Sequence, residues 1–140
     1  MIWATRSGIH VDRAASAWLI VAYVDPEAQF IYVDDAEDVP DGAIAFDMMG
    51  AELSHHGHDV TFETILRTHD LLDPVLWRIA EIVHQADVED DRFDAPEAAG
   101  LDIIIRALGT DHGDEEVRTL TSTILTSLEQ FLRRETLGTL

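Results

Sequence analysis

The hydrophobic period changes from strand to helix near Asp12 and back to strand at Phe30, and this alternation constrains the fold more than any other feature of the sequence. Residues 2 to 5 form a short β-like run, and Ile9-His10-Val11 follows after the breaker Ser7-Gly8. Ala14, Ala15, Trp18, Leu19 and Ala22 then fall on one helical face that lasts until Asp25-Pro26. Phe30-Ile31-Tyr32-Val33 is β-branched and aromatic, and Ala43-Ile44-Ala45-Phe46 begins after the turn Pro40-Asp41-Gly42. Both read as buried strands. A strand, a helix and two more strands predict a small, mostly parallel sheet of three or four strands with right-handed crossover.

The second half reads as helical. Asp73-Pro74 sets a capping residue before a proline at the first helical position, and Val75, Leu76, Ile79, Ala80, Ile82 and Val83 supply one broad apolar face. Asp94 with Glu97 resembles a capping box, opening a segment through Ile103, Ile104, Ile105 and Leu108 that is expected to stop at Gly109. Val117, Leu120, Ile124, Leu125, Leu128, Phe131 and Leu132 predict a last helix. All these stripes are expected to face the core. Without repeats, low-complexity segments or linkers, the 140 residues are expected to form one α/β domain over 1–140, its C-terminal half helical.

Charge narrows the functional classes. The chain carries 28 acidic residues against 9 basic ones, for a net charge of −19, and every basic residue is Arg. Such a surface repels phosphate backbones, so direct binding of DNA or RNA is not expected. An acidic, lysine-free surface also suits a salt-rich, halophilic cytoplasm, where ionic strength screens self-repulsion. With no Cys, disulfides and zinc-thiolate sites are excluded. The opening residues lack a basic region followed by a long apolar stretch, and no apolar run reaches spanning length, so a cytoplasmic protein without membrane contact is expected.

The residues that carry chemistry cluster at strand and helix ends. His10 and Asp12 follow the first strand, Asp47 the third, His55 and His56 lie in the next loop, and Asp87 follows a helix. If the stretch around His10 is extended, His10 and Asp12 point to one face and can share an ion. Asp12 is equally suited to capping the helix after it, and Asp47 to a turn. Imidazole nitrogens mixed with carboxylate oxygens suit manganese, iron or zinc. His58, His69 and His112 stand in polar surroundings and His84 on a helix flank, so none of these four is a candidate ligand.

These residues resemble the ChrB C-terminal, or chromate-resistance, domain family. The resemblance runs through Trp3-Ala4-Thr5-Arg6, Ile9-His10-Val11-Asp12-Arg13, Trp18-Leu19-Ile20 and Val24-Asp25-Pro26. It continues through Gly42-Ala43, Phe46-Asp47, Gly50, Glu52, His55-His56-Gly57, Phe62-Glu63, Leu72-Asp73, Ile82-Val83 and Ala86-Asp87. Relatives commonly carry a Cys-Pro pair where this chain has Ser16-Ala17, so a thiol-based reduction of chromate is not expected. Longer members carry a preceding N-terminal regulatory region, so the resemblance implies a sensing or catalytic part. The order of His and Asp motifs is also similar, more weakly, to that of DHH phosphoesterases, which bind two manganese ions; Ser54 replaces the Asp of their name motif.

Together these likenesses imply that His10, Asp12, Asp47, His55 and Asp87 hold a divalent transition metal, with His56 facing the substrate. Arg6 and Arg13 are the expected clamps for a small tetrahedral oxyanion such as chromate, sulfate or phosphate. Glu52 or His56 could move the proton in a metal-dependent, hydrolase-like reaction belonging to a stress response. The alternative is a non-catalytic module that reports ligand binding to a regulatory or transporter partner.

Overall fold

Strand-forming residues at both edges of the first helix decide the architecture. A computed structural model describes residues 1–138. Strands β1 (Ile2–Arg6), β2 (Gln29–Val33) and β3 (Ile44–Ala45) form a parallel sheet in the order β2-β1-β3. Trp3 pairs with Phe30 on one side and Ile44 on the other. Helix α1 (Val11–Leu19) connects β1 to β2 and ends in a π-helical turn, Ile20–Val24, that stops before Pro26 as the sequence predicts. Four more helices follow: α2 (Thr61–Thr68), α3 (Pro74–Asp87), α4 (Ala98–Asp111) and α5 (Asp114–Thr136). The α/β class, the parallel sheet and the helical second half are those expected. Among the described residues, no helix is long and apolar enough to cross a membrane.

The core lies where α1 meets the sheet, α2, α3 and α5. Trp18 stacks on Phe62 at 6.4 Å, and Phe46 meets Trp3 edge-on at 6.3 Å and Phe30 at 5.8 Å. Trp18 also donates through Nε1 to Thr126 at 3.1 Å, fixing α5 over α1.

Several local expectations are corrected. Val11 already belongs to α1, and His10 is its N-cap, so His10 and Asp12 straddle a strand-to-helix junction and do not share an extended face. Helix α2 has no counterpart in the pattern reading. The Asp94–Glu97 capping box does not form: Glu97 is the N-cap, its carboxylate bonds Arg78 at 2.6 Å, and the helix starts only at Ala98. It then runs through Gly109, because that glycine has no positive φ to end it. Ile103 and Ile104 are 67% and 51% exposed, and Leu120 and Phe131 also face solvent. Their helices touch the core along a narrower stripe, Leu101 and Ile105 on α4 and Val117, Thr121, Leu125 and Leu132 on α5.

Candidate metal centre

Parallel strands end on one edge, and the loops leaving β1 and β3 deliver side chains there. The β1 loop is tied down when the Asp114 carboxylate, in the first turn of α5, accepts the backbone N–H groups of Gly8 and Ile9 at 3.0 to 3.2 Å. The exit of β3 is fixed by Phe46 N donating to Ala4 O at 2.9 Å and Thr5 Oγ1 donating to Phe46 O at 2.7 Å. Asp47 comes next with φ +49, a left-handed conformation that Asp tolerates better than most residues.

Asp12 is the anchor of the centre. It does not cap its own helix. Its Oδ2 accepts Thr61 N and its Oδ1 accepts Phe62 N, both at 3.0 Å, so it receives the positive end of α2, 49 and 50 residues away in sequence. His55 Nε2 lies 3.0 Å from Asp12 Oδ2, 3.3 Å from Asp87 Oδ2 and 3.9 Å from Asp47 Oδ1. Thr61 Oγ1 donates to Asp47 Oδ1 at 2.6 Å. Asp12, His55 and Asp87 each offer a donor atom within 4.8 Å of the others. Bonds of about 2.0–2.2 Å to one ion place donors no more than about 4.4 Å apart, so small adjustments suffice for this set to close on a metal.

The other sequence candidates fall in three places. His10 is exposed and stands outside that trio, but it lines the same open cavity of about 450 Å³ with Arg6, Arg13, Asp47, His55 and Asp87. Arg13 is consumed by the scaffold: Nε lies 3.0 Å from Asp47 Oδ2, and the terminal nitrogens donate to Gly8 O and Asp47 O at 2.9 Å. Arg6, by contrast, has no ion pair or side-chain hydrogen bond among the described residues and borders the cavity. Glu52 and His56 are exposed and stand away from the cavity lining, with His56 Nε2 bonded to the Glu52 carbonyl. Ser54 donates to Ala51 O at 2.6 Å and supplies no ligand.

Electrostatics shows a surplus of negative charge. The bond to Asp12 raises His55 to about 9 against the opposing effect of its partial burial. Burial, followed by the Asp12 charge, raises Asp47 to about 7 and Asp87 to about 6. A bound cation would relieve this repulsion. All three groups hold protons more tightly than in an unfolded chain, so the folded state binds more protons. Stability of the metal-free protein therefore falls as pH rises from about 4, where unfolded carboxylates ionise, to about 9. The His55 contribution is fully present below about 6.5 and lost through about 9. Melting temperatures in chelator between pH 5 and 9 check this. A flat or rising profile would contradict the charge balance described here.

His84 is fully buried on α3 and does not stand on its flank. Its spacing from Ile79, Ala80 and Val83 marks the same inner face, a signal that was available. Helix α2 could likewise be found from Phe62, Ile65 and Leu66 at helical spacing.

A small parallel sheet flanked by helices, with acidic and histidine side chains gathered beyond one edge of it, defines an α/β domain with a His/Asp cluster. The chain belongs to the ChrB C-terminal domain family, whose profile, described as "ChrB, C-terminal domain", matches residues 3–132. It is similar to "Protein ChrB" of Cupriavidus metallidurans, with 38% identity over 104 residues, 74% of this chain and 32% of that protein. The chain thus corresponds to about a third of the length of that relative. No solved structure matches it significantly.

Proposed function

We propose that this is a chromate-resistance-type domain that binds a divalent transition metal, manganese, iron or zinc, and receives a tetrahedral oxyanion beside it. Asp12, His55 and Asp87 would hold the metal, with Asp47 the nearest further carboxylate. A metal at this point supplies a Lewis-acidic position for an oxyanion oxygen. The observation that carries the reading is the juxtaposition of His55 and Asp87, on the wall of one cavity, with Arg6, whose guanidinium has no ion pair or side-chain hydrogen bond among the described residues. In a chain of net charge −19, such a cation is the natural anchor for an anion.

Binding is favoured over turnover by the places of Glu52 and His56. Both intended proton carriers stand off the cavity, while His10, exposed on its wall, is the remaining imidazole that can touch an anion. A binding module of this kind would report the anion to a regulatory or transporter partner.

Elemental analysis of the purified protein, followed by calorimetric titration of sulfate or chromate into the metal-loaded form, tests the reading. Arg6→Ala is expected to weaken the anion about tenfold, the size of one charge-assisted hydrogen bond, and to leave the metal in place. Protein that neither carries nor takes up a divalent metal would sink the proposal.

A further inference from the structure

His84 is buried completely, and each of its ring nitrogens faces a carboxylate. Nδ1 lies 2.6 Å from Glu63 Oε1, Nε2 lies 2.8 Å from Asp90 Oδ2, and Phe93 covers the ring edge-on at 5.0 Å. Desolvating an imidazole and the nearly inaccessible Glu63 carboxylate is costly, and a hydrophobic residue would fill the same space without that cost. The connections of Glu63 give the arrangement a purpose.

Glu63 Oε1 also accepts the backbone N–H of Val60 at 2.9 Å. The next two amides, Thr61 and Phe62, are those that hold the Asp12 carboxylate. On the other side, His84 precedes Asp87 by three residues, about one turn of α3. A continuous set of contacts therefore links Asp12 to the N-terminus of α2, then to Glu63, to His84 and along one turn to Asp87. Burial opposes charge on this imidazole, but the bonds to Glu63 and Asp90 outweigh it and hold its pKa above the ordinary value. Both nitrogens can then donate.

Building on the metal-binding reading above, we infer that His84 is a positioning residue for the metal centre. Its Nδ1–H bond to Glu63 fixes the start of α2 against the last turn of α3, and so sets the spacing of Asp12 and Asp87 around His55. The Asp90 bond steadies the ring from the loop after α3.

The two ring nitrogens can be separated by substitution. Asn places its amide N–H near the position of Nδ1, and Gln places its own near that of Nε2. His84→Asn is therefore expected to keep the Glu63 link and His84→Gln to lose it. Co²⁺ is the probe, titrated by calorimetry and by its visible absorption, with far-UV circular dichroism reporting the fold. His84→Asn is expected to bind Co²⁺ within about threefold of wild type. His84→Gln is expected to bind at least tenfold more weakly with a changed absorption band, the usual effect of disturbing a group that orients ligands.

A folded His84→Gln protein with wild-type affinity and spectrum overturns the role of His84 and leaves the metal centre standing. Failure of wild type to take up Co²⁺ overturns the metal reading instead. In that case the His55 ring resonances of the metal-free protein decide the positioning role, which requires them to move in His84→Gln and not in His84→Asn. If neither His84 variant folds, Glu63→Asp is the substitute. Its shorter side chain cannot hold both Val60 N and His84, and unchanged His55 resonances in that variant overturn the inference.

Discussion

Replacing Asp12 with alanine is expected to destabilise the fold by about 3–5 kcal/mol, a large share of the roughly 5–15 kcal/mol that holds an ordinary domain together. The carboxylate satisfies the backbone amides of Thr61 and Phe62 at the buried start of α2 and also receives His55. Each amide left buried without an acceptor costs about 1–3 kcal/mol, and the freed imidazole loses its principal partner. Removing Asp12 also relieves its repulsion of Asp47 and Asp87, which would offset part of the loss at neutral pH. Urea denaturation near pH 5, where Asp47 and Asp87 are largely protonated, isolates the structural part. Ser16→Ala is the control, because its hydroxyl reaches Asp12 only at 3.4 Å and should matter by less than about 1 kcal/mol. Equal effects of the two substitutions would mean that Asp12 does not anchor α2.

Replacing His55 with alanine is expected to act in the opposite way, sparing the fold and removing the metal. Its side chain is 49% exposed, so solvent screens much of its attraction to the neighbouring carboxylates, and losing that cation should cost about 1–2 kcal/mol near pH 6, well below the Asp12 effect, and less toward pH 9. Metal affinity should fall by at least about a hundredfold, since the effect of losing a direct ligand exceeds the 10–100-fold effect of losing a group behind it. Calorimetric titration with Mn²⁺ and Zn²⁺ measures the loss. His58→Ala, an exposed histidine three residues along the same loop, should stay within about threefold of wild type. Retention of full affinity by His55→Ala would place the metal elsewhere or nowhere.

The order of strands and helices is legible in the sequence because it is a local property. Period-2 and period-3.6 patterns of apolar residues reflect which face of each element is buried, and Asp73-Pro74 and Asp25-Pro26 mark boundaries through backbone chemistry that needs no partner. The short helix α2 escapes that reading because its eight residues sit beside a histidine-rich, polar loop. Exposure of Ile103, Ile104 and Phe131 escapes it too, since a helix can be apolar over a wider arc than its neighbours cover. The candidate ligands Asp12, His55 and Asp87 can be named from their positions at element ends, although His10 and Asp47 look equally eligible there.

What those residues do is decided only by tertiary structure. Asp12 accepts the amides of α2 and does not cap its own helix, Arg13 is consumed by Asp47 while Arg6 has no such partner among the described residues, and His84 lies inside with a carboxylate on each nitrogen. These contacts join residues up to 50 positions apart, and their geometry follows from how α1, α2 and α3 pack on one another. Local sequence fixes the direction of a side chain relative to its own helix, but which donor or acceptor waits there depends on the helix that packs against it.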